Sequence, residues 1–124
     1  MKMKRAGMTL IEIMVAMGIL TGALLGMGRF ITGFTHSAAD GAMNSTASDL
    51  VLDRLEMIKA SSPYSTIPTY ATTESTIPGF PKYVRVTQVL RTNSAQADYT
   101  TVTVTVSHPA LHVPVKKSTV ISAF

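Results

Sequence analysis

An apolar run near the N-terminus constrains everything downstream of it. Met8 to Gly28 contains one charge, Glu12, and no Pro, Asn, Gln or His. As a helix rising about 1.5 Å per residue it reaches roughly 31 Å, the thickness of a bilayer hydrocarbon core. Lys2, Lys4 and Arg5 precede the run, and basic flanks stay on the cytoplasmic side, so the remainder of the chain is expected beyond the membrane. A secretory signal would have an apolar core of about 7–15 residues and then an A-x-A-like site. This run is longer, and no such site follows. A plain signal anchor fits the length and the charge but leaves Glu12 unexplained. A carboxylate costs roughly 2.5–3.5 kcal/mol near the centre of a membrane helix and less near its end, so Glu12 calls for a cationic partner.

Size and composition remove most other functions. With 124 residues the chain has room for one small domain outside the membrane. It has no cysteine, which excludes a disulfide framework, a thiolate metal site and a cysteine nucleophile. The formal charge of +4 suggests nucleic acid or an acidic surface as a partner, yet Lys2, Lys4 and Arg5 supply +3 of it and 4 − 3 leaves +1. DNA is then a partner only if Lys82, Arg85, Arg91, Lys116 and Lys117 share one face.

Gly7-Met8-Thr9-Leu10-Ile11-Glu12, behind a short basic leader and ahead of an apolar helix, resembles the class III signal of type IV pilins and pseudopilins. The resemblance implies that a membrane prepilin peptidase cuts after Gly7 and N-methylates Met8, where the family usually has Phe. It also implies that Glu12 is the family's fifth-position glutamate. The physical chemistry agrees, because cleavage creates an α-ammonium on Met8 that the Glu12 carboxylate of a neighbouring subunit can meet in an apolar bundle. An unpaired carboxylate there is penalised, so Glu12 favours one axial stagger over others. Gly18, Gly22 and Gly26 recur at four-residue spacing, a stripe that permits close helix packing in lipid. Each also weakens the helix by roughly 1 kcal/mol relative to Ala.

No proline interrupts the chain between Gly33 and Pro63, so the helix is expected to continue out of the membrane. Met43, Ala47, Leu50, Val51, Leu55 and Ile58 recur at helical period, with Asp49, Asp53 and Glu56 opposite. Leu52 sits among the acids and Arg54 beside the apolar face, which suggests subunit contacts or a snorkelling stem. Leu50 to Lys59, followed by Ala-Ser-Ser-Pro-Tyr, resembles the helix ending of minor pilins of the PilV group and of the I-type minor pseudopilin of type II secretion. Many major pilins of the family close a C-terminal loop with a disulfide, which a cysteine-free chain cannot make; a minor role fits better.

Pro63, Pro68, Pro78 and Pro81 mark residues 61–81 as a long surface loop ending in a Pro78-Gly79 reversal. Tyr83 to Arg91 alternates with Val84, Val86 and Leu90 on one side, and Tyr99 to Ser107 with Val102, Val104 and Val106. Val115 to Ala123 is a third candidate strand. Asp49, Asp53 and Glu56 have no His or Gly-rich cradle beside them, and His108 and His112 are four apart between Pro109 and Pro114, which deny a helix. Asn44-Ser45-Thr46 matches a glycosylation sequon but falls mid-helix. No catalytic set, metal site or cofactor is expected.

The expected fold is α+β, with a long N-terminal helix packed on a small antiparallel sheet of about three strands. The expected parts are a leader (1–7), a transmembrane and assembly helix (8–34), an amphipathic helix (35–60), and an extracytoplasmic β head with its Pro-rich connecting loop (61–124). The expected function is a minor pilin, a non-enzymatic filament subunit. Its partners would be the prepilin peptidase, other pilin or pseudopilin subunits, and the inner membrane with its assembly platform. The protein would reside in the bacterial inner membrane, N-terminus cytoplasmic, and then in a periplasmic or cell-surface filament. The alternatives are a type II secretion or DNA-uptake pseudopilin and, in a different class, a membrane-tethered binding domain.

Overall fold

A computed structural model describes residues 7–61 and 63–123; the leader charges Lys2, Lys4 and Arg5 lie outside the described residues. One helix, α1, runs from Leu10 to Ala60. A 3-10 helix (Tyr64–Tyr70) follows, and then the strands β1 (Thr72–Glu74), β2 (Val84–Ser94), β3 (Ala97–Ser107) and β4 (Val115–Ser122). The strands form one antiparallel sheet in the order β1-β2-β3-β4. The chain divides into two compact units, residues up to Ala38 and residues from Ala39 onward.

From Leu10 onward the first unit is α1, which is long and apolar enough to cross a membrane by length and composition. Its hydroxyls return to the helix's own carbonyls. Thr21 donates to the Met17 carbonyl (2.8 Å) and Thr32 to that of Gly28 (2.7 Å), which satisfies both hydroxyls within the helix itself.

In the second unit, the apolar stripe of α1 covers one face of the sheet. Ala47, Leu50, Val51, Leu55 and Ile58 form one core with Val102, Val104 and Val106 of β3. The helix ends where Ser61 turns back to it, with its N–H on the Ile58 carbonyl (3.1 Å) and its hydroxyl on that of Met57 (2.8 Å). Pro63 then bars continuation.

Two expectations for this unit are corrected. Residues 61–81 are not one long loop. Tyr64–Tyr70 winds into a 3-10 helix that tolerates Pro68 and buries Ile67, Thr72–Glu74 pairs as an edge strand, and Ile77 joins the core. Prolines excluded an α-helix and a central strand, but a 3-10 turn and a proline-free edge strand evade both restrictions. The sheet thus has four strands, not three. The second correction is the facing of β2. Its register sets Arg85 opposite Val106, Thr87 opposite Val104 and Val89 opposite Val102. Arg85, Thr87 and Val89 therefore face the helix, while Leu90 is 69% exposed. Fully buried valines on β3 dictate the phase, and a shift by one residue exchanges every side chain between the faces.

Two turns lead into β2. Phe80 N–H bonds the Ile77 carbonyl (3.0 Å) across Pro78-Gly79, and Tyr83 N–H bonds that of Phe80 (3.4 Å) across Pro81-Lys82. Gly79 and Lys82 have φ of +81° and +71°, the value a type II turn needs at its third position.

Candidate assembly site

Gly7, Met8 and Thr9 precede the first helical turn and are exposed. The side chain of Glu12 folds back on that turn, where its Oε2 accepts the Thr9 N–H (3.4 Å). Thr9-Leu10-Ile11-Glu12 thus has the spacing of a capping box, in which a glutamate three residues into the helix satisfies a donor that lipid would leave bare. The carboxylate also sits at the N-terminal end of the helix, where the unpaired backbone N–H groups point. This cap adds to the intersubunit pairing expected of Glu12, and its sequence signal is the T-x-x-E spacing.

Gly18, Gly22 and Gly26 stand within α1 with no atom within 4 Å of where a Cβ would project. Helix backbone is bare at these positions and open to a neighbour. Arg29 follows the apolar run, with hollows on either side of it.

In the second unit, polar groups between helix and sheet join them. Arg85 donates from Nε (2.6 Å) and Nη2 (3.1 Å) to the two carboxylate oxygens of Glu74, and from Nη1 to the Leu50 carbonyl of α1 (3.3 Å). Asp53 lies 3.8 Å from the same guanidinium. The Arg85 hydrogen bonds hold the Glu74 carboxyl below its usual range, against the smaller opposing effect of burial, and the charges of Arg54 and Arg85 act in the same sense. Arg54 is buried over the Tyr70 ring (5.6 Å) and donates to Thr87 Oγ1 and the Tyr70 carbonyl (3.4 Å each). At the far end, Arg91 pairs through two nitrogens with Asp98 and lies over the Tyr64 ring (5.4 Å), whose hydroxyl contacts Thr100 Oγ1 (2.7 Å). The bonds from Arg91 lower the Asp98 carboxyl and raise the guanidinium.

The five candidate DNA contacts do not share a face. Arg85 and Arg91 turn to the helix side and are paired with carboxylates. Lys116 and Lys117 alternate to opposite faces of β4. The acids Asp49, Asp53 and Glu56 are exposed along α1. His108 packs against Tyr83, ring centroids 4.6 Å apart, while His36 lies in α1 and His112 in the β3–β4 loop. Among the described residues no three His, Cys, Asp or Glu side chains group as a metal site.

Residues 2–27 match the family model described as the prokaryotic N-terminal methylation motif. No curated protein and no solved structure matches the chain.

Proposed function

We propose that this type IV pilin-like protein, with its prepilin N-methylation motif, is a minor pilin, a structural filament subunit released from its leader between Gly7 and Met8. The match over residues 2–27 carries the reading. That motif implies processing by prepilin peptidase and assembly with other pilins, and the apolar helix behind it implies a membrane-anchored stage before assembly. The proposed parts are those read from the sequence: leader 1–7, assembly helix 8–34, amphipathic helix 35–60 and head 61–124, with the N-terminus cytoplasmic. Support for the minor role comes from the ending of α1 at Ser61 and Pro63 and from the absence of cysteine. An I-type pseudopilin of type II secretion shares that helix ending and is the second reading.

In this reading Glu12 has two positions. Before assembly it caps its own helix through the Thr9 N–H. In the filament it meets the Met8 α-ammonium of a neighbour, an opposite charge in a water-poor bundle. Gly18, Gly22 and Gly26 let the helices approach closely.

Co-expression with a prepilin peptidase and mass measurement of the N-terminus tests the proposal. The expected product begins at an N-methylated Met8; an intact chain beginning at Met1, where a control pilin is cut, overturns it. Glu12→Leu is expected to insert and be cleaved but to drop out of filaments. Normal incorporation of that variant sinks the role given to Glu12 and favours a simple membrane tether.

A further inference from the structure

We infer that α1 carries a second charged contact between copies of this chain, in which Arg29 of one copy enters the pocket formed by Asp40, Asn44 and the β3–β4 loop of the next. The inference rests on the filament-subunit reading and adds to it a partner for two groups that have none among the described residues.

Arg29 is the only Lys or Arg between Leu10 and Asp53. It adjoins the membrane-length apolar run, where an unpaired guanidinium is costly and normally finds a carboxylate. It is exposed and has no hydrogen bond or ion pair among the described residues. Gly26 and Gly28 with Leu24 and Leu25 border the hollow on one side of it, and Gly33 with Phe30 and Phe34 that on the other, so it stands beside a helix surface that is apolar and in part bare.

The complementary feature lies on the second unit. Asp40 and Asn44, one helical turn apart, face Ala110–Val113 across a pocket of about 170 Å³. The loop wall is held in place. Leu111 N–H bonds the His108 carbonyl (2.9 Å), Ala110 N–H bonds His108 Nδ1 (3.1 Å), and Leu111 packs on the core. Neither Asp40 nor Asn44 has a side-chain partner among the described residues. A carboxylate and an amide oxygen beside an apolar wall suit an arginine, whose planar fork takes two acceptors while its stem lies along Leu111 and Val113.

The other charges are less suitable. Glu74 and Asp98 are held by Arg85 and Arg91, and Asp53 lies beside Arg85. Asp49 and Glu56 are exposed, and neither lines the pocket beside Asp40. Lys59 at the end of α1 and Lys82, Lys116 and Lys117 on the head are exposed. Asp40 is eleven residues beyond Arg29, about three helical turns, so the copy that supplies Arg29 must be displaced by that much toward the C-terminal end relative to the copy that supplies Asp40. A Glu12 to Met8 pairing needs a displacement of four residues, not eleven, so the two charge pairs join a given copy to two different neighbours.

The test uses the full chain in cells that assemble the filament, taking advantage of the absence of native cysteine. A copy with Phe30→Cys is expressed beside a copy with Val113→Cys. Oxidation is expected to give the mixed disulfide between copies. Arg29→Asp in the first copy or Asp40→Arg in the second is expected to reduce it at least tenfold, and combining the two to restore it to within twofold. Failure of the combined exchange to restore, or equal linking of Phe30→Cys to itself, overturns the pairing. N-terminal mass is read in the same samples. An uncut leader rejects the filament reading itself, whereas a cut leader without charge-exchange rescue rejects the Arg29–Asp40 contact alone.

Discussion

Replacing Glu74 by Gln should destabilise the head and flatten its response to acid. The substitution keeps the shape and leaves one amide oxygen to accept from Arg85, but removes the charge from a two-bond contact of 2.6 and 3.1 Å. Hydrogen bonds to charged groups contribute about 1.5–3 kcal/mol. The Glu74 side chain is 30% exposed, so solvent screening places the loss at the lower end, about 1.5–2 kcal/mol. For a domain of this size that lowers Tm by about 6–16 °C. The pH dependence follows from the sign of the shift. The folded-state Glu74 carboxyl titrates below its unfolded value of 4.5. Its contribution is therefore fully present above about pH 4.5 and is lost as pH falls from there through the folded value. Asp98 acts in the same sense from 3.8, so some acid sensitivity survives in the variant. The assay is thermal melting of the full chain in detergent from pH 7 to 3, followed by near-UV circular dichroism of the tyrosines. Tyr64, Tyr70, Tyr83 and Tyr99 all lie beyond α1 and the chain has no tryptophan, so the tyrosine signal reports on the sheet and its connections and not on α1. Replacing both partners together, Glu74→Leu with Arg85→Met, should recover most of the stability, because the larger penalty belongs to a buried charge left alone. A Glu74→Gln variant with the wild-type Tm and an unchanged slope below pH 5 would refute the reasoning.

The two turns before β2 predict changes of opposite sign. Gly79→Ala places a Cβ at φ +81° and should cost about 1 kcal/mol, whereas Lys82→Gly relieves a left-handed non-glycine residue at φ +71° and should gain up to about 1 kcal/mol. Chemical denaturation of the two variants beside wild type measures both. The facing of β2 and β3 predicts a second contrast. Leu90→Ser, on the solvent side, should stay within about 0.5 kcal/mol of wild type, while Val104→Ala, fully buried, should lose about 2 kcal/mol. A larger loss at Leu90 than at Val104 would reverse the face assignment.

The helix, the membrane-length run and the three longer strands were legible because each is periodic or continuous in the residues themselves. Glu12 stood out as the only charge in its run, while its capping bond needed a known helix start. The failures in the head are coupled. Reading residues 61–81 as loop hid β1, and with it Glu74, the carboxylate that makes a helix-facing Arg85 tolerable. Without that partner, elementary hydrophobicity turns β2 the other way, with Val84, Val86 and Leu90 inward, because an unpaired buried guanidinium costs more than an exposed leucine gains. Once Thr72–Glu74 pairs with Arg85–Thr87, the same strand satisfies its arginine and aligns Val89 with Val102. The phase of β2 was therefore not a local property of its residues. It depended on a three-residue edge strand whose sequence signals are two threonines and the absence of proline between Pro68 and Pro78, and on the alternating valines of β3, which leave the sheet one way to face the helix.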